Sequence, residues 1–143
     1  MKHSIFNVCI SFLLVASLTA EDLSADTQGP EPAATVKDVM QGLTVPNSDF
    51  LWGVDEAPGD NAGWDAIRLN AVMLEESAKL LMTEGRAREG EAWIKQALAL
   101  ASAAQQARAA ADSQNIDGLF AASDAMYNAC ESCHIVYLSP LSE

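Results

Sequence analysis

Two thiols three positions apart and an imidazole directly after the second, Cys130, Cys133 and His134, form the densest cluster of reactive side chains in a 143-residue chain that is poor in both. Four chemistries use such a set. A redox dithiol uses Cys-x-x-Cys, normally beside a strand at a helix N-terminus, where the dipole lowers a thiol pKa. A zinc site needs four ligands, and outside the N-terminal leader only carboxylates remain to complete this one. A disulfide between residues three apart fits poorly inside a regular helix and leaves His134 without a task. Covalent haem attachment uses every member. Both thiols add to haem vinyl groups as thioethers, and His134 offers a ring nitrogen to the iron as proximal ligand. On a helix the three positions share one face, so all three bonds come from one side of the macrocycle.

The compartment agrees with that chemistry. The first twenty residues, "MKHSIFNVCISFLLVASLTA", open with Lys2 and His3, continue as an apolar run from Ile5 to Leu18, and close on small and polar residues. This is the layout of a secretory signal peptide cleaved near Ala20, with an apolar run too short for a comfortable membrane span. The sequence therefore predicts an exported, periplasmic protein, the compartment in which c-type haem is attached. Cys9 leaves with the leader. The remaining chain keeps seven basic and twenty acidic residues, a net charge of −13 with His134 neutral. That charge repels nucleic acid and anionic membrane surfaces and attracts basic proteins. No membrane span is expected after signal removal.

Helices must position the cluster. Residues 21–34 contain few apolar groups and two prolines and read as a flexible N-terminal tail. From Thr35, an expected N-cap, periodicity is helical and no strand-like alternation occurs. The first helix carries Val36, Val39, Met40 and Leu43 on one face. Pro46 is expected to break or kink it, with a restart at Asn47 or Ser48. The second helix repeats Trp64, Ile67, Ala71, Leu74, Ala78 and Leu81 at steps of three and four, with Gly85 as its expected stop. The third, from about Glu89 to Ala111, repeats Trp93, Ala97, Leu100, Ala104, Ala107 and Ala111. The fourth, capped by Asn115, aligns Ile116, Leu119, Ser123, Met126, Cys130, Cys133 and Tyr137. Short connections between the last three helices predict an all-α, antiparallel up-down-up-down four-helix bundle over residues 35–143, with the haem attached near its C-terminus.

In such a bundle the end of the fourth helix lies beside the start of the first, the end of the second and the start of the third. The haem belongs at that end. A sixth ligand, if present, is a methionine: Met40, Met73, Met82 or Met126. Met126 shares a helix with His134 and cannot reach the distal face, and Met73 is too near mid-helix. Met40 and Met82 remain. Trp52, Trp64 and Trp93 read as core anchors, with Trp93 the one expected to touch the haem. Tyr127 and Tyr137 flank the motif and read as packing residues of the haem pocket.

The segment "LFAASDAMYNACESCHIVYLSP" near the end of a four-helix chain, with "VKDVMQGLTVPNSDFLW" near its start, resembles the class II c-type cytochromes, cytochrome c′ and its low-spin relatives. The resemblance runs from about Thr35 to Tyr137. It rests on Tyr127, Ala129, Cys130, Cys133, His134 and Tyr137 at one end and on the spacing of Met40, Pro46 and Trp52 at the other. One departure is Leu138, where many members carry a basic residue. The resemblance implies one covalent haem c and places Met40 as the distal iron ligand of the low-spin members. It also implies a homodimer through the first two helices. With Met40 bound, the expected function is single-electron transfer between redox partners, the basic ones by charge. With the distal face open, a five-coordinate iron would bind NO or CO. A third use of the haem, as a structural staple in an interaction protein, has no feature of its own. No nucleophile–base pair is visible, and no enzymatic activity is expected.

Overall fold

Thr35 begins the helical chain by a reciprocal exchange of hydrogen bonds. Its hydroxyl accepts from the Asp38 N–H (3.2 Å) while the Asp38 carboxylate accepts from the Thr35 N–H (2.9 Å), satisfying two donors that the first turn leaves unpaired. In this computed structural model residues 31–138 are described. The leader, most of the tail and the last five residues lie outside the described residues. Of the expected tail, residues 32–34 are held in place. Ala34 accepts a bond from Arg86 Nε (2.8 Å), and Pro32 sits against Gly85.

Helix α1 (Val36–Val39), a π-helical turn (Met40–Thr44) and α2 (Val45–Trp52) form one continuous arm. The expected break at Pro46 does not occur, nor does the restart at Asn47 or Ser48. Proline clashes with the carbonyl four residues back, and a register of i to i−5 moves that carbonyl away. The Val45 N–H reaches Met40 O, five residues earlier, and Pro46 falls in the first turn of α2. The extra residue is thus absorbed upstream of the proline.

Helix α3 (Asn61–Leu80) is capped by Asp60, whose carboxylate accepts from the Gly63 N–H (2.9 Å). It ends before Gly85 because side chains take its last carbonyls. The Trp93 indole donates to Leu81 O (2.7 Å) and the Thr83 hydroxyl to Leu80 O (2.8 Å). Helix α4 (Glu91–Asp112) follows Gly90, which adopts φ +104°, a conformation glycine tolerates without a Cβ penalty. Asn115 caps α5 (Ile116–Tyr137) as expected, accepting from the Gly118 N–H (3.0 Å).

On α3 and α4 the period-3.6 faces read from the sequence are the buried ones. Trp64, Ile67, Ala71, Leu74, Ala78 and Leu81 of α3 and Trp93, Ala97, Leu100, Ala104, Ala107 and Ala111 of α4 are all buried. On α5 the buried residues are Leu119, Ala122, Met126 and Ala129, so its core face is turned away from the expected line through Ser123, Cys130 and Cys133. Of the first helix's expected face only Val39 is buried. Helix α4, whose buried face is rich in alanine, packs along both α3 and α5, and these are the two most extensive helix pairings. The helical arm packs on α3, where the buried Thr44 and Ser77 hydroxyls bond at 3.1 Å. Its contact with α5 is thin and is fastened near one end by the Trp52 indole donating to Ser123 O (3.3 Å). The result is an all-helical bundle of four packed helical stretches, with no strand among the described residues. No helix of the described residues is long and apolar enough to cross a membrane.

Candidate cofactor cavity

Because the arm and α5 scarcely touch, the seam between them opens into a cavity of about 520 Å³, within the roughly 300–1,000 Å³ typical of ligand clefts. Its walls come from four helical stretches. The arm contributes Met40, Thr44, Val45, Ser48, Asp49 and Trp52. The end of α3 contributes Leu81, and α4 contributes Trp93, Gln96, Ala97 and Leu100. From α5 come Tyr127, Ala129, Cys130, Glu131, Cys133 and His134. The lining is almost entirely apolar in surface.

Six of the seven residues singled out in the sequence therefore meet in one space: Cys130, Cys133, His134, Met40, Trp93 and Tyr127. Cys130 and Cys133 are half-buried free thiols on successive turns of an unbroken helix. Burial pushes both thiols up, Cys130 also through its neighbour Cys133. A redox dithiol is built the other way, with a thiolate favoured by a helix N-terminus or a nearby cation. His134 lies in the last turn of α5, with its carbonyl bonded to the Leu138 N–H (2.9 Å).

The methionines separate cleanly. Met40 lines the cavity, as the first residue of the π turn. Met126 is fully buried in the main core. Met82 packs at the edge of the smaller cluster of Val39, Leu81, Trp93 and Ala97 without reaching the cavity. Met73 does not reach it either. A π turn places its first residue differently from a continuous α-helix, and such turns gather at functional sites.

The aromatics divide. Tyr137 lies outside the cavity lining and stands edge-on to Trp93, ring centres 4.9 Å apart at 82°. Trp93 thus has three duties: it walls the cavity, caps α3 through Leu81 O, and braces the turn that carries His134. Trp64 and Trp93 are buried anchors, whereas Trp52 is 41% exposed and stands at the cavity mouth. Sequence reasoning missed Thr44, Val45, Ser48, Asp49, Gln96 and Glu131. Their place in the wall follows from the course of the arm and the open seam, and no local signal marks either.

No protein-family model, curated protein or solved structure matches the chain.

Proposed function

We propose that the chain is an exported class II c-type cytochrome that carries single electrons, with one haem c held in the cavity. The observation that carries the reading is convergence: Met40 and the Cys130–Cys133–His134 cluster, ninety residues apart in sequence, border one apolar cavity of about 520 Å³. Thiols and imidazole on one helix and a thioether on another are the donor set that a covalent His/Met haem requires. In this reading Cys130 and Cys133 form the thioethers, His134 is the proximal ligand and Met40 the distal one. Trp93 and Tyr127 pack the cofactor. Bound there, the haem would supply a one-electron ferric/ferrous couple, in surroundings whose wall is mostly apolar.

The up-down-up-down course of the bundle belongs to the same proposal. It is supported by Trp93 bonding back to the end of α3 and by Gln114, after α4, donating to Asn61 at the start of α3 (2.9 Å). Periplasmic export rests on the leader sequence. A homodimer through the arm and α3 rests on the family resemblance.

One observation favours a five-coordinate alternative that binds NO or CO. The exposed residues Val45, Trp52 and Tyr127 border the cavity, so it communicates with solvent. Absorption spectra of the purified holoprotein, oxidised and reduced, with and without CO, separate the two. A low-spin ferrous spectrum unchanged by CO supports Met40 ligation and electron transfer. A high-spin spectrum that shifts with CO selects gas binding. Absence of haem from protein made in a host competent to attach it refutes both.

A further inference from the structure

The seven basic residues outside the leader are Lys37, Arg68, Lys79, Arg86, Arg88, Lys95 and Arg108. They stand on α1, α3, α4 and the α3–α4 connection, and none is on α2 or α5. The charges of those two helices are Asp49, Asp117, Asp124 and Glu131, all exposed. Phe120, Asp124, Tyr127 and Glu131 follow at steps of three and four along one edge of α5, the edge beside Ser123, to which Trp52 of α2 is bonded. Large apolar side chains are exposed along the same seam: Val45 47%, Trp52 41%, Phe120 40% and Tyr127 56%. Exposed apolar side chains and carboxylates, with no lysine or arginine on either helix, thus stand along the seam that opens into the cavity, where Asp49 and Glu131 are part of the wall.

From this we propose that the α2–α5 face docks a lysine- and arginine-rich surface of a partner protein. Cations pair with the carboxylates and lie over the aromatic faces, while their aliphatic stems cover the apolar groups. A second copy of this chain is the poorer occupant, because a two-fold contact here would set Asp49, Asp124 and Glu131 against their own kind. That the partner exchanges electrons through this mouth rests on the haem reading; the docking itself does not.

The test uses the reduced full-length holoprotein and fluorescent decalysine as probe, with backbone amide shifts mapped by NMR at about 20 mM ionic strength, where charge pairs are weakly screened. Shifts are expected along α2 and α5. Asp124→Lys and Phe120→Ser, neither of which lines the cavity, should each weaken binding by about threefold or more. The matched changes Asp65→Lys and Leu69→Ser on α3 should have smaller effects. Shifts spread evenly over α3 and α4, or equal weakening by Asp65→Lys and Asp124→Lys, would overturn the docking face, as would a sedimentation dimer buried on it. Failure of the haem reading shows separately, as a haem-free spectrum, and leaves the same mapping to be done on the isolated chain.

Discussion

Replacing Trp93 by phenylalanine keeps an aromatic ring but removes the indole N–H. Leu81 O is among the last carbonyls of α3, which lack partners within the helix, and Trp93 Nε1 satisfies it at 2.7 Å in a buried setting. Orphaning a buried acceptor costs about 1–3 kcal/mol. The lost ring area, on a side chain only 3% exposed, adds about 1 kcal/mol at ~25 cal/mol per Å². The expected loss is about 3 kcal/mol, or a fall in Tm on the order of 10 °C for a domain of this size. Trp64→Phe is the internal control. Trp64 is equally buried, but its indole makes no hydrogen bond to a described residue, so about 1 kcal/mol is expected. Urea denaturation of both variants, followed by circular dichroism with equal m-values, gives the comparison. Equal losses at the two sites would refute the capping role of Trp93. A double-mutant cycle with Tyr137→Leu should return about 0.5–1.5 kcal/mol of coupling for the edge-on pair, and a coupling near zero would show that Trp93 does not brace the turn that carries His134.

If the proposed haem reading holds, Met40→Ala should give a reduced, haem-loaded protein that is high-spin and binds CO, while Met82→Ala leaves the spectrum unchanged; the reverse pattern would exchange their roles. Asn115→Ala removes the acceptor for the Gly118 N–H and should cost about 1 kcal/mol in thermal or urea unfolding. Glu75 accepts from Lys79 and Gln105 (2.9 Å each), and these bonds hold its carboxyl below the ordinary glutamate value. A lowered folded pKa means that the stabilisation is present above the unfolded value of about 4.3 and fades as pH falls through the folded one. Glu75→Gln should therefore flatten the acid limb of stability below about pH 4.5, by less than ~1 kcal/mol because Lys79 stands in water. An acid limb as steep as that of the unsubstituted protein would show that Glu75 does not carry it.

Helix faces were legible because their cause is local. A 3.6-residue period assigns Trp64 through Leu81 and Trp93 through Ala111 to one side whatever lies opposite. Caps at Thr35 and Asn115 were legible for the same reason, since each bonds within three residues. So was the shared face of Cys130, Cys133 and His134. The ends of α3 were less so: its cap, Asp60, lies in residues 55–63, a stretch rich in turn-forming residues throughout, and Gly85 carried a stop signal that α3 never reached, because Trp93 and Thr83 had taken its last carbonyls.

The helices, the buried stripes of α3 and α4 and a thiol–imidazole cluster near the C-terminus are all readable from residue order. That the helical arm runs through Pro46, and that Met40 and not Met82 borders the cavity, came from packing between segments distant in the chain. It likewise set Tyr137 against Trp93 and left the arm and α5 apart. Within a single turn π and α registers differ little, so distant contacts choose between them. Here those contacts are the Thr44–Ser77 hydrogen bond and the packing of Val39 with Leu81 and Trp93, partners more than thirty residues away that no local pattern encodes.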